Sequence, residues 1–355
     1  MKILTVVGAR PQFVKALPVG RALRDAGHQE ILVHTGQHYD YRMSQVFFDE
    51  LEIPDPDYNL EVGSGSHGEQ TAAMLVGIEK LLVDEQPDIL LVYGDTNSTL
   101  AGTLAAIKLH VPIAHVEAGL RSFNRRMPEE HNRVLTDHAS TWLFCPTELA
   151  VQNLVKEGIT EGVHNVGDVM YDMVLLARSR DTDTERLSRL GLESGGYMLA
   201  TVHRAENTDD PARLTAILTA FGELEETILL PLHPRTRARL DDPGFGVGLS
   251  DVPPNVRIER PLGYMDMLAL QAGASLILTD SGGVQKESLW AGVPCVTLRD
   301  ETEWVESVEA GWNTVVGADA EKIVAAARMP APEGDPPPLY GDGSASVAIC
   351  SRLGG

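Results

Sequence analysis

Positive charge is what this 355-residue chain lacks most. It has 29 Lys and Arg against 51 Asp and Glu, a formal net charge of −22. So acidic a surface repels phosphate backbones and anionic headgroups, which argues against nucleic acid and anionic membrane as partners. Cysteine is scarce as well. Cys145, Cys295 and Cys350 are odd in number and have no metal-ligand spacing, so they give neither a disulfide framework nor a metal site. They read as small apolar residues in or near a core. Long apolar runs are missing, and none approaches the ~20 residues of a membrane span. After Lys2 only Ile3 to Val7 is apolar before Gly8, which is too short for a secretory signal. A soluble, cytoplasmic protein is expected. The first strand–helix loop, Gly8-Ala9-Arg10-Pro11-Gln12, lacks the spaced glycines of a dinucleotide site, so NAD is not indicated.

What is present is enough apolar material, 43%, for real cores in two domains of ordinary size. The acid excess, with Arg well above Lys, suggests a surface suited to high salt, where screening relieves self-repulsion. Short apolar runs alternate with helical patterns along the whole chain, as in doubly wound α/β proteins. The reading places one Rossmann-like domain over residues 1–170 and a second, nucleotide-binding one over 171–330. Residues 331–355 read as a Pro-rich linker and a C-terminal helix crossing back to the first domain.

The chain is organised around residues 88–121. Ile89 to Tyr93 is almost wholly apolar, as expected of a strand covered on both faces, and it stops at Gly94-Asp95-Thr96-Asn97. A helix over 98–109 leads to a second strand over 112–116, which stops at Glu117-Ala118-Gly119. Two adjacent strands therefore each deliver a carboxylate at the C-terminal edge, where ligands bind in open parallel sheets. Asp95 also suits a helix N-cap, a role for which Glu117 is ill fitted. Pro128-Glu129-Glu130 reads as a helix start, which gives Glu129 a dipole-complementing role of its own.

Other strand ends carry polar groups too. Arg10 and, a turn further, Lys15 form a cation pair near a helix N-terminus, suited either to an anion or to solvent. A helix from Phe13 to Ala26 is predicted, kinked or started late by Pro18. Residues 58–68 read as loop. In the second half, strands end at His203-Arg204, at His233 and at Asp280-Ser281-Gly282-Gly283. Two histidines at corresponding strand ends point to a ligand site. In Ser281-Gly282-Gly283 the missing Cβ atoms let a ligand approach N–H groups at a helix start, which favours phosphate; an ordinary glycine turn has the same sequence. Glu287, one turn on, would accept bonds from hydroxyls such as those of a ribose, or simply be solvated.

Taken together and in order, several segments resemble the non-hydrolysing UDP-N-acetylglucosamine 2-epimerases. They are Gly8-Ala9-Arg10-Pro11-Gln12, Thr35-Gly36-Gln37-His38, Val92-Tyr93-Gly94-Asp95-Thr96, His115-Val116-Glu117-Ala118-Gly119-Leu120-Arg121 and Pro128-Glu129-Glu130 with Asn132-Arg133. The second half adds Thr201-Val202-His203-Arg204, Thr279-Asp280-Ser281-Gly282-Gly283-Val284-Gln285 with Glu287, and Arg299-Asp300 with Thr302-Glu303.

The resemblance implies two Rossmann-like doubly wound domains facing across a cleft, a GT-B-like arrangement. It implies interconversion of UDP-N-acetylglucosamine and UDP-N-acetylmannosamine through a 2-acetamidoglucal, with no cofactor and no metal, in a homodimer. Asp95, Glu117, Glu129 and His203 would be catalytic. Arg10, Lys15, Arg204, His233, Ser281, Gly282, Gly283 and Glu287 would bind substrate, and Gln37 and His38 are candidate regulatory residues. Two positions depart from the family pattern. Trp304 stands where many members carry a substrate-binding Arg, so Arg204 or Arg299 would have to meet the diphosphate. Tyr39 and Glu69 stand where members activated by a second nucleotide sugar carry Arg. A UDP-sugar glycosyltransferase of the same fold, a hydrolysing relative and a silent nucleotide-sugar sensor compete with the epimerase.

Overall fold

The computed structural model describes residues 1–37, 55–178 and 183–354. The chain divides into two units, Met1–Ser179 with Tyr340–Gly355, and Arg180–Leu339. In the first, the strands are β1 (Lys2–Val7), β2 (Gln29–His34), β3 (Tyr58–Asn59), β4 (Ile89–Tyr93), β5 (Ile113–Val116), β6 (Trp142–Cys145) and β7 (Val163–Asn165). They form one parallel sheet in the order β3-β2-β1-β4-β5-β6-β7. In the second unit, β8 (Met198–Thr201), β9 (Ile228–Pro231), β10 (Val256–Glu259), β11 (Leu276–Thr279), β12 (Cys295–Thr297) and β13 (Asn313–Val315) pair in parallel as β10-β9-β8-β11-β12-β13. Each order reverses once, between β1 and β4 and between β8 and β11. The loops leaving those strands diverge there and open a crevice at the C-terminal edge.

The apolar runs form strands because both faces are covered. Leu4, Val6, Leu90 and Val92 pack against Ile78 and Leu82 of the helix His67–Glu85 and against Ala101 and Ala105 of the helix Asn97–Lys108. Each fully buried Leu, Ile or Val contributes roughly 1.5–3 kcal/mol. In the second unit Ala200, Leu230, Leu278 and Val296 play the same part against Ile217 and Phe221 of the helix Pro211–Gly222.

Three expectations are corrected. The first helix begins at Arg10, with Pro11 in its first turn, so Pro18 lies in its interior instead of marking a late start. Residues 58–68 are not all loop: Tyr58–Asn59 adds an edge strand to β2, and the next helix begins at His67, capped by Ser66. Short helices at Asp183–Arg189, Ala205–Thr208, Pro234–Leu240 and Val305–Glu309 were not foreseen. They are too short to show a helical repeat.

The helix Ala345–Leu353 packs on the helices Arg10–Asp25 and Val169–Arg178 of the first unit. Asp172 holds its start, accepting the Ala345 and Ser346 N–H groups at 3.1 and 2.7 Å and the Ser346 hydroxyl at 2.6 Å.

Candidate active site

At the first unit's switch point, buried Gln12 ties two loops together. Its Oε1 accepts the Gly8 and Ala9 N–H groups at 2.8 and 3.1 Å. Its Nε2 donates to the Tyr93 carbonyl at 2.6 Å and faces the Thr96 and Thr99 hydroxyls, each at 3.0 Å. The cap of the helix Asn97–Lys108 is Thr96, whose hydroxyl accepts the Thr99 N–H. Asp95 is therefore not a cap, and its side chain makes an ion pair with Arg133 at 2.5 Å. Asn132 donates to the Asp95 carbonyl at 2.8 Å. Arg133 also bonds Glu130 at 3.0 Å, and Glu130 in turn holds the 121–127 loop through the Ser122 and Phe123 N–H groups, each at 2.9 Å.

Lys15 is buried and makes an ion pair with Glu117. Burial alone would lower the Lys15 pKa, but Glu117, Asp168 and Asp95 outweigh it, and the pKa is raised. Asp95 is also raised, by burial first, with Glu117 and Glu129 adding to the rise and Arg133 and Lys15 opposing it. Lys15, Glu117 and Glu129 thus all lie close enough to act on Asp95. Glu117 has φ +72°, a left-handed backbone that a residue with a Cβ adopts only at a cost. At Gly94 (φ +58°) an added Cβ would stand 3.2 Å from the Glu117 carboxylate and 3.8 Å from the Lys15 amine. A side chain at Gly94 would be strained by its positive φ and would crowd this pair.

Gln37 lies apart from that group. Its Oε1 accepts the Ser98 N–H at 3.0 Å and the Ser98 hydroxyl at 2.7 Å. Glu69 closes the capping box with Ser66. His38, Tyr39 and the Arg10 side chain lie outside the described residues.

The second unit's edge is built around Asp280, which is fully buried. Its carboxylate accepts the His203 and Arg204 N–H groups, each at 2.9 Å, and the Asn207 amide at 3.1 Å, and it faces His203 Nδ1 at 3.2 Å. Burial lowers the His203 pKa; Asp280 opposes this, and Arg204 and Arg235 add to it. The His203 and His233 rings lie 5.2 Å apart. His233 caps the helix Pro234–Leu240, its Nδ1 accepting the Arg235 N–H at 3.1 Å.

Ser281 precedes the helix Gly282–Ala291 without a side-chain cap bond. A Cβ on Gly282 would sit 3.2 Å from Trp304 Nε1 and 4.0 Å from an Arg204 Nη. The buried Arg204 Nε has no hydrogen-bond partner among the described residues. Guanidinium, indole N–H and helix start therefore surround a place where a glycine leaves room, an arrangement that fits an oxyanion. Lys286 Nζ lies 3.9 Å from the Trp304 ring centroid, a cation–π contact within a largely buried pair. Arg299, proposed above for the diphosphate, is instead tied to Glu303 at 2.9 Å and faces Glu206 at 3.7 Å. Glu287 is no solvated helix position: it is buried, Tyr264 and Gln271 donating to it at 3.2 and 2.8 Å. Among the described residues no group of three or more His, Cys, Asp or Glu is placed to hold a metal ion.

Two all-parallel, doubly wound units, each with its polar groups at a switch point, define a two-domain Rossmann-like protein of the GT-B-like class. The family model described as UDP-N-acetylglucosamine 2-epimerase matches residues 21–354, and the chain belongs to that family. It is 53% identical over 356 residues to a UDP-N-acetylglucosamine 2-epimerase homolog of Methanococcus maripaludis, covering 99% of each chain. It is 52% identical over 363 residues to the UDP-2,3-diacetamido-2,3-dideoxy-D-glucuronate 2-epimerase of Pseudomonas aeruginosa, again covering 99% of each. The crystal structure of the Methanocaldococcus jannaschii UDP-GlcNAc 2-epimerase in complex with UDP-GlcNAc and UDP matches with a TM-score of 0.88 at 43% identity, covering 100% of this chain and 99% of that one.

Proposed function

We propose that the chain interconverts UDP-N-acetylglucosamine and UDP-N-acetylmannosamine. The C1–O bond to UDP breaks, C1 gains oxocarbenium character, and a carboxylate removes the acidified C2 proton to leave a C1=C2 glucal. UDP adds back at C1 while a proton reaches C2 from the other face. No oxidant or reductant is needed. The observation that carries this reading is the gathering of Asp95 and Glu117 at one sheet edge with Lys15 and with Glu129 of the following helix, where burial first and then the neighbouring carboxylates lift Asp95 above the ordinary aspartate value. A glycosyltransferase or a nucleotide-sugar sensor has no need of such a group.

Asp95, Glu117 and Glu129 form the acid–base set. Lys15, bonded to Glu117, balances their charge and binds substrate. Arg204, His203, His233, Arg10 and the 281–283 turn stabilise the leaving diphosphate, with the Trp304 indole in the place of the family arginine. Glu287, already oriented by Tyr264 and Gln271, takes the ribose hydroxyls. Gln37 is engaged with Ser98 and Glu69 with its own helix start, which favours activity without a second nucleotide sugar. The protein would work in the cytoplasm as a homodimer. Val76, Val83, Ile107, Leu109 and Leu135 lie exposed on three neighbouring helical segments, an apolar set suited to a second copy.

A second reading keeps the chemistry and changes the sugar. The Pseudomonas relative, named for a 2,3-diacetamido-2,3-dideoxyglucuronate, is 52% identical, against 43% for the crystallised UDP-GlcNAc enzyme. Incubation with each nucleotide sugar, followed by proton NMR of the anomeric signals, separates the two. A new manno-configured UDP-sugar from UDP-N-acetylglucosamine supports the first reading. Product only from the diacetamido uronate supports the second. Irreversible UDP release, or no change in either, overturns both.

A further inference from the structure

Behind the acidic edge runs a chain of polar and charged side chains, buried from His115 through Asp137 to Arg121. His115, on β5, is fully buried; its Nδ1 faces Asp137 Oδ1 at 2.7 Å and its Nε2 donates to the Gly94 carbonyl at 2.8 Å. The other Asp137 oxygen accepts the Gly119 N–H at 3.1 Å and pairs with Arg121 at 2.7 Å. Arg121 continues to Glu157 through two bonds, at 2.8 and 2.7 Å. Burial alone would raise the Asp137 pKa, but His115 and Arg121 outweigh it and hold it below the ordinary carboxylate value.

Buried ion pairs gain little net stability, because desolvation offsets their attraction. Where this chain ends is therefore informative. It grips the residue before Asp95 and the second residue after Glu117. Both turns are held in left-handed backbone, with φ +58° at Gly94, +72° at Glu117 and +80° at Gly119. Glycine adopts this backbone freely; at Glu117 it is strained and persists only where surrounding contacts over-determine it. Asp137 itself lies on the helix Pro128–Ala139, which also carries Glu129 and Arg133.

We infer that Asp137 is a positioning residue for the epimerisation: through His115 and through the Gly119 N–H it fixes the Asp95 and Glu117 turns relative to each other. A misplacement of ~1 Å at a reacting group can cost about 100-fold in rate, so the network acts on turnover and not on nucleotide binding. This role rests on the epimerase reading above.

The test is a double-mutant cycle on the sugar that wild type turns over. Asp137→Asn should lower kcat by about 10- to 100-fold, with KM and the UDP dissociation constant within about threefold of wild type. Added to Asp95→Asn, it should slow the enzyme less than about threefold further, because groups acting through one another are non-additive. A folded Asp137→Asn with near-normal kcat, or losses that multiply in the double variant, would overturn the inference. Should Asp137→Asn not fold, His115→Phe, which fills the ring volume without its hydrogen bonds, takes its place with the same expectations. If neither folds, the network serves folding and the inference fails. Wild type inert toward both nucleotide sugars would instead overturn the reading on which it rests.

Discussion

At the C-terminal edge of the first unit's sheet β4 and β5 end in Asp95 and Glu117, and the nearby cations Lys15 and Arg133 are bonded to those carboxylates. At the second unit's switch point the strands end in His203-Arg204 and Asp280-Ser281, and the strand-end carboxylate Asp280 is turned inward. Asp280 is fully buried and spends its lone pairs on backbone N–H groups and Asn207. Beside it stand Arg204, whose Nε has no hydrogen-bond partner among the described residues, and the start of the helix Gly282–Ala291. One strand order thus supports two opposite electrostatic environments. On the function proposed above, the strand-end carboxylate that receives backbone donors marks the edge that holds an anion, and the carboxylates paired with cations mark the edge that moves protons.

The sharpest way to break this contrast is to neutralise the first edge. Asp95→Asn or Glu117→Gln should lower turnover by at least ~100-fold while the UDP dissociation constant, read by calorimetry, stays nearly unchanged. An equal loss of UDP binding would erase the distinction between the edges. At the second edge Arg204→Ala should weaken UDP binding about tenfold or more, the scale of a lost charge-assisted hydrogen bond. Arg10→Ala is expected to do the same from the first unit, which would limit the division to carboxylates and exempt the loop cation. An unchanged dissociation constant in either variant removes that residue from the diphosphate site.

Stability gives a smaller and independent reading of the same contrast. Asp95 has a folded pKa raised above its ordinary value of 3.8, so its charged form costs stability at neutral pH. Asp95→Asn should therefore melt above wild type at pH 7. That gain should close as pH falls through the raised value and below 3.8, where folded and unfolded carboxyls are both protonated. A gain that persists in acid would place its cause elsewhere. The smallest expected effect concerns the whole surface: with a net charge of −22, the melting temperature should rise from low to molar salt as repulsion is screened. An invariant melting temperature would deny the acidic surface that role.

The strands and the edge they furnish could be read from the sequence because their signals are local. Ile89–Tyr93, Trp142–Cys145 and Leu276–Thr279 are apolar runs with polar stops, and they form strands at those bounds. Asp95 and Glu117 stand at such stops. The groups that orient them belong to contacts between distant segments. Gln12 reaches Tyr93, Asp137 reaches His115, and Asp280 reaches His203, and no spacing rule joins these pairs. Arg133 was within reach of sequence reasoning, since it follows Glu129 and Glu130 at the i+4 and i+3 spacing of one helix face. Whether Asp95 or Thr96 caps the following helix depends on where the backbone turns, and only the structure gives that role to Thr96.

Incubation of the wild-type protein with UDP-N-acetylglucosamine in heavy water tests the proton-transfer assignment most directly. Deuterium should enter at C2 of both UDP-sugars as they reach equilibrium, and the incorporation should disappear in Asp95→Asn and Glu117→Gln. Epimer formed without deuterium at C2, or undiminished exchange in both variants, would contradict it.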